Sequence, residues 1–226
     1  LPLLFEPVPL ALDLRLPGRG PADRSAVRRS AVPQPVVARL GWSAATTYRF
    51  FGGLYDGLSR EFRGFARAEV RDPLATLSVT EFHQDEYFKG RPFHTEVRDA
   101  QTRLFAETRQ VWGRTEDSPG VQFVHLDETT SFLSDGDATV KQTQSRFTYD
   151  PYGNLTRTEE QGDVALVGDE RSAVTTFAYN ATDWILNKPS LVQTLDAGGT
   201  VVAQRRFYYD GAAAIATPPP VGALSR

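Results

Sequence analysis

Neither cysteine nor methionine occurs among the 226 residues of this chain. The first absence excludes disulfides, thiolate metal sites and a cysteine nucleophile, so stability must come from burial and hydrogen bonding. It does not separate a secreted from a cytoplasmic setting. The second absence, taken with a first residue that is Leu1, reads as a piece of a longer protein. Histidine is scarce as well. His83, His94 and His125 are the only three, and no two stand at the i, i+4 spacing of a metal pair on one helix. No stretch approaches the roughly 20 apolar residues of a membrane-spanning helix. The opening Leu1-Pro2-Leu3-Leu4-Phe5 is apolar, but Glu6, Pro7 and Pro9 break it and no basic segment precedes it. A formal net charge of -3 and a pI of about 5.7 give no electrostatic case for nucleic acid or an anionic membrane as partner. Phosphate-cradling glycine loops and nucleophile elbows are missing too.

What is plentiful points to strands. With 15 Pro, 18 Gly and many Val, Thr, Phe and Tyr, the composition predicts an all-β chain of short strands and frequent turns. Residues 1–35 form a proline-rich leader with Arg15, Arg19, Arg24, Arg28 and Arg29 against Glu6, Asp13 and Asp23. Proline removes backbone donors and restricts its neighbours, so this leader is expected to be weakly ordered coil with one edge strand at most. From residue 36 to 146 the chain reads as successive β-hairpins. Strands are expected over 76–82, 93–97, 104–112, 121–126 and 139–149, with turns at Gly52-Gly53, Asp56-Gly57, Lys89-Gly90-Arg91-Pro92, Asp99-Ala100 and Ser134-Asp135-Gly136-Asp137. Phe62 and Phe65 are expected in the core. Arg60, Glu61 and Arg63 are either a solvated strand face or part of a buried ion pair fixing the turn.

One pattern recurs at a fixed interval. Phe147-Thr148-Tyr149-Asp150, Phe177-Ala178-Tyr179-Asn180 and Phe207-Tyr208-Tyr209-Asp210 place tyrosines at 149, 179 and 209, 30 residues apart. That is the length of one supersecondary unit, which must stack on neighbours to bury its apolar side. Phe and Tyr two residues apart share a strand face, so adjacent units are expected to stack their rings into a ladder. Asp or Asn then caps the turn backbone. Residues 147–211 are thus a repeat region, and the Ala/Pro-rich tail 212–226 is expected to be a cut end or linker.

The run Tyr149-Asp150-Pro151-Tyr152-Gly153-Asn154-Leu155 resembles the signature of the RHS or YD-repeat family, with Tyr179-Asn180 and Tyr209-Asp210-Gly211 fitting less completely. Upstream, Leu54-Tyr55-Asp56-Gly57-Leu58-Ser59-Arg60-Glu61-Phe62-Arg63-Gly64-Phe65 resembles the segment preceding the repeats in B components of insecticidal Tc toxins and in related virulence-plasmid proteins. Phe82-His83-Gln84-Asp85 and Lys89-Gly90-Arg91-Pro92 are similar to the same region. The resemblance runs from Val36 to Gly211, and residues 1–35 lie outside it. It implies a spiral of antiparallel β-hairpins forming a shell around a toxic C-terminal effector, in a secreted bacterial protein. It further implies partners in the rest of its own polypeptide, in the enclosed effector and in other toxin-complex subunits, with no membrane insertion by this segment. The family's self-cleaving aspartate site has no matching context here.

No catalytic, cofactor or metal site emerges from the residues themselves. Asp85-Glu86 and Glu159-Glu160 are neighbours whose side chains leave a strand on opposite faces, so neither pair forms a two-carboxylate site. Asp135-Gly136-Asp137 lacks the other oxygen ligands of a calcium loop. Asn154-Leu155-Thr156 and Asn180-Ala181-Thr182 are formal glycosylation sequons in turns that favour Asn anyway. The expectation is a non-catalytic, cofactor-free structural segment. The alternative is an extracellular adhesion or carbohydrate-binding module, using Trp42, Trp112 or Trp184 to stack on sugars.

Overall fold

A computed structural model describes residues 3–4, 44–118, 120–134 and 140–225. Apart from residues 3–4, the leader lies outside the described residues, as do Trp42 and the Asp135-Gly136-Asp137 turn. The chain is all-β. Its strands are β1 (Leu3–Leu4), β2 (Thr47–Asp56), β3 (Glu61–Arg71), β4 (Leu77–Phe82), β5 (Pro92–Arg98), β6 (Leu104–Ser118), β7 (Val121–Ser134), β8 (Val140–Tyr149), β9 (Leu155–Asp163), β10 (Arg171–Asn180), β11 (Ile185–Leu195) and β12 (Val201–Arg206). They lie side by side in chain order in one sheet, each antiparallel to the next. From β2 to β12 this order follows from short connections, each of which returns the chain beside the strand it has just left.

Four turns are built alike. In Asp72–Thr76, Asp99–Arg103, Asp150–Asn154 and Asp196–Thr200 the aspartate N–H donates to the carbonyl of the fifth residue, and the fourth residue's N–H returns to the aspartate carbonyl. One carboxylate oxygen of that aspartate accepts from the third and fifth N–H groups. The fourth residue has positive φ in every case: Ala75, Thr102, Gly153 and Gly199. This is side-chain capping of a tight hairpin, with the left-handed position closing the loop.

Gly52-Gly53 is not a turn. Both glycines lie inside β2, where Gly52 has φ 62° and a register slip falls between Gly53 and Tyr55 opposite Gly64 at φ 88°. Glycine here permits an irregularity within a long strand rather than its end. A Cβ at Gly52 would lie 2.9 Å from the Ala66 Cβ. Gly52→Ala combines that clash with an unfavourable dihedral, and is expected to cost about 1–3 kcal/mol in a urea titration.

Register divides the sheet into two unlike faces. Directly opposed residues share a face, so Arg67, Glu81, His94 and Arg109 form one row across β3–β6, with Glu69, Val79, Glu96, Glu107 and Phe132 in the row beside it. That face is tied by ion pairs: Arg98 Nε to Glu96 at 2.7 Å, Arg67 to Glu69 at 2.7 Å and Arg146 to Glu128 at 3.0 Å. The other face carries no charge in its rows across β3–β7, while at β8–β10 it holds Lys141 3.8 Å from Asp163, and Glu160 opposite Arg171. Its rows are Ala68, Thr80, Thr95, Thr108, Ser131 and Thr143, and Val70, Ser78, Val97, Ala106, Leu133 and Lys141.

No second layer covers either face among the described residues, and full burial is rare. Val79, Ala178 and Tyr209 are the buried hydrophobic residues. Phe62 and Phe65 are therefore not core: they are 52% and 39% exposed, clustered with Phe50 on the sheet surface. Their apolar character was legible, but a single sheet gives a ring only strand neighbours to pack against. The tail likewise differs from the expected linker. Pro219 is fully buried, Asn180 Nδ2 donates to the Pro219 carbonyl, and Tyr209 bridges Leu224.

Candidate functional site

The strands β2, β4, β6, β8, β10 and β12 run the same way, so their C-terminal ends form one rim of the sheet. The three repeated motifs all arrive on that rim, as does the pre-repeat motif. Asp150 is the best-connected group there. Its Oδ1 accepts from the N–H of Tyr152 and Asn154, both at 2.9 Å, while its Oδ2 accepts from Asn154 Nδ2 at 2.8 Å and from the Tyr179 hydroxyl at 2.6 Å. Partial burial pushes the Asp150 carboxyl upward, but the donors from Tyr179 and Asn154 outweigh it and leave the group below its ordinary value. Tyr179 is pushed up to about 12, by burial first and then by its bond to Asp150. The tyrosine of one repeat is thus tied to the aspartate of the repeat before it.

The other tyrosines reach across hairpins in the same sense. Tyr149 donates to the Leu126 carbonyl at 3.1 Å and Tyr209 to the Pro189 carbonyl at 2.9 Å. Their rings do not form the expected ladder. Tyr149 packs on Phe123 and His125, and Tyr179 on Tyr152 and Phe177. Successive motifs lie two strands apart, and each intervening strand holds the rings away from one another. Phe147 and Phe207 are half-buried.

The acidic ends differ in detail. Asn180 Oδ1 accepts from the Asp183 N–H in a six-residue turn with Trp184 at φ 57°, matching the Asp56 turn with Arg60 at φ 55°. Asp210, followed by Gly211 at φ 76°, instead accepts from the N–H groups of Val221, Gly222 and Ala223 at 3.0, 2.8 and 2.9 Å. Both sequon asparagines are engaged: Asn154 Nδ2 bonds Asp150 and the Leu186 carbonyl, and Asn180 Nδ2 bonds Asp183 and the Pro219 carbonyl.

Tyr55 to Phe65 close the β2–β3 hairpin around an ion pair. Arg63 Nη2 lies 2.6 Å from Asp56 Oδ2, with the arginine side chain only 11% exposed, while Glu61 pairs with Lys89 at 2.6 Å. Gln84 Nε2 donates to the carbonyls of Gly52 and Gly64 at 2.7 and 2.9 Å, clamping the irregular stretch from the β4–β5 loop. A cleft of about 470 Å³ opens beside them, lined by Leu54, Asp56, Gly57, Leu58, Arg63, Gln84 and Glu86. Asp56 is held down to about 2, first by the Leu58 N–H and then by the Arg63 side chain. A depressed carboxyl stabilises the folded turn above its unfolded value near 3.8, and this contribution is lost as pH falls from about 4 to about 2. An NMR titration following the Leu58 amide should therefore show its midpoint near the lower limit; a midpoint at the ordinary carboxyl value contradicts the turn geometry.

Asp56 spends its oxygens on Leu58, Ser59 and Arg63, so it is no free general base. Among the described residues no group of three or more His, Asp or Glu is placed to hold a metal ion. The histidines serve packing and pairing. His83 lies against Phe88 and Phe93, His125 bonds Asp127 at 2.7 Å, and His94 sits between Glu81 at 2.9 Å and Glu107 at 3.1 Å. Trp112 is occupied, its indole N–H donated to the Pro92 carbonyl and its face covered by Arg91. Trp184 is 77% exposed. Sequence reasoning missed the Gln84 clamp, the tyrosine-to-carbonyl ties and the role of the tail under Asp210. The kinship of the four five-residue turns was available as an aspartate followed four residues later by Thr, Arg or Asn.

Comparison with known proteins agrees with this architecture. No curated protein sequence matches the chain. The crystal structure of TcdB2-TccC3 has the same fold over 79% of this chain, at 13% identity and a TM-score of 0.62. The Photorhabdus luminescens Tc holotoxin pore matches over 80%, at 12% identity and a TM-score of 0.63. The chain spans 15% of the first of those chains and 14% of the second. Residues 26–96 match the family model described as the insecticide toxin TcdB middle/N-terminal region, so a toxin-type signature sits in a chain whose β-fold is shared with Tc toxin structures.

Proposed function

We propose that this chain is a non-catalytic wall segment of a secreted bacterial toxin complex, of the YD-repeat type, whose sheet helps to enclose an effector polypeptide. The observation that carries the reading is the pair of unlike faces on one uncovered sheet. The paired rows keep their arginines in water, with Arg67 43% and Arg109 61% exposed, and suit the outside of a shell. The Thr, Ser, Ala and Val rows of β3–β7 offer an enclosed chain no ionic hold, while Tyr48 and Phe50, opposite Val70 and Ala68, put exposed apolar rings on the same face at β2. The rim ties keep successive hairpins in register. Its partners are then the remainder of its polypeptide, the enclosed effector and other toxin-complex subunits, the last in keeping with the TcdB2-TccC3 and holotoxin matches.

The lack of cysteine makes the reading testable. Thr95→Cys and Glu96→Cys place single thiols on opposite faces of β5. In the assembled complex, Thr95→Cys should be shielded from a bulky maleimide and cross-link to the effector, while Glu96→Cys should label freely. Equal labelling of both positions contradicts the assignment of faces.

A further inference from the structure

We propose that the cleft between the β2–β3 turn and the β4–β5 loop is a docking site for a lysine side chain presented by a partner polypeptide. Both walls lie well inside the chain. Leu54, Asp56, Leu58 and Arg63 come from the β2–β3 hairpin and Gln84 and Glu86 from the loop after β4, around a volume of about 470 Å³. Gln84 Nε2 donates to the carbonyls of Gly52 and Gly64 at 2.7 and 2.9 Å, which ties one wall to the other and spends both protons of the amide. Only its Oε1 is left. The buried side-chain polar atoms without a partner among the described residues are Arg63 Nε, Arg67 Nε and Gln122 Oε1, so Gln84 Oε1 is open to solvent, an acceptor held in place with no donor.

Charge selects the occupant. Glu86 is exposed and has no ion pair among the described residues, whereas Asp56 has Arg63 and Glu61 has Lys89. One guanidinium therefore stands against two carboxylates in the cleft, and that guanidinium is only 11% exposed, with its Nη2 spent on Asp56. An anion meets net repulsion here. An ammonium group finds the Glu86 carboxylate and Gln84 Oε1 as acceptors. Leu54 and Leu58, the latter 98% exposed, supply an apolar wall for the four-carbon stem that carries such a group. None of the three lysines of this chain is free to fill the cleft: Lys89 pairs with Glu61, Lys141 lies beside Asp163 and Lys188 covers the Tyr209 ring. The lysine is therefore supplied from outside these 226 residues.

The site does not depend on which face of the sheet is enclosed. Its probe is the capped tripeptide Ala-Lys-Ala, compared with Ala-norleucine-Ala, which keeps the stem without the charge, and with free cadaverine. In proton–nitrogen correlation spectra the Gln84 side-chain amide and the Leu58 N–H should shift saturably with the lysine peptide, and the norleucine peptide should bind about tenfold more weakly. Glu86→Gln should weaken the lysine peptide about tenfold as well, while leaving the urea midpoint unchanged because Glu86 pairs with nothing in the folded chain. Glu86→Lys supplies a cation from the loop itself and should abolish binding. Absence of saturable shifts, equal binding of the norleucine peptide, or indifference to Glu86→Gln overturns the proposal. So does tighter binding of cadaverine than of the lysine peptide, which would assign the cleft to a free amine.

Discussion

Tyr209→Ala should lower the unfolding free energy by about 3–4 kcal/mol, the range of large-to-small changes at well-packed aromatic sites. Tyr209 is 8% exposed in a sheet where full burial is rare. Lys188 lies over its ring at 5.8 Å, and Leu224 bridges its backbone. Truncation leaves a void beneath the tail and strands the Pro189 carbonyl, which accepts the tyrosine hydroxyl at 2.9 Å. Tyr209→Phe removes only the hydroxyl and should cost about 1 kcal/mol. Urea titrations of both variants separate the ring from the hydrogen bond. A loss below about 1 kcal/mol for the alanine variant, the size of an ordinary surface change, would show that the ring is not a packing centre. Phe147 is only half-buried, so Phe147→Ala should cost distinctly less.

Asp150→Ala is the second large effect, expected at about 2–3 kcal/mol. One side chain satisfies two backbone N–H groups of its own turn, the Asn154 amide and the hydroxyl of the next repeat's tyrosine. Hydrogen bonds to a charged group contribute about 1.5–3 kcal/mol each when sheltered. Solvent screens this rim, so the sum falls well short of four such bonds. Asp150→Asn keeps an acceptor for the turn but loses the charge that shortens the Tyr179 bond, and should fall between the parent and the alanine variant. Because the Asp150 carboxyl lies below its ordinary value, its contribution is present at neutral pH and fades as acid protonates it. The gap between parent and Asp150→Ala should accordingly narrow below about pH 4.

The strands were legible because turn chemistry punctuates them. Asp56-Gly57 and Asp99-Ala100 end strands where expected, and their aspartates, like Asp150 and Asp196, cap those ends through their carboxylates. Gly52-Gly53 misled because glycine serves a strand irregularity as readily as a turn, and only the partner strand distinguishes the two. Phe62 and Phe65 misled for a different reason. Period-two alternation reports that a strand has two unlike faces, but not whether either face is covered. The 30-residue spacing matches the two-strand step that puts the three tyrosines on one rim, where the ladder of stacked rings was expected. It could not reveal that an intervening strand separates the Phe and Tyr rings of successive motifs, so that Tyr179 reaches the preceding repeat through its hydroxyl on Asp150 and its ring on Tyr152. The tail's Pro218-Pro219-Pro220 carried a linker-like composition, yet the three N–H groups following it close on Asp210.

What joins these observations is that each recurring tyrosine reaches back across a hairpin through its hydroxyl, and that Tyr179 does so onto the aspartate of the preceding repeat, Asp150. A double-mutant cycle on Tyr179→Phe and Asp150→Ala, read by urea denaturation, tests this most directly because it isolates the pair from everything else each residue touches. The predicted result is a coupling energy of about 1–2 kcal/mol between the two sites. Additivity of the two single changes to within about 0.3 kcal/mol would contradict it.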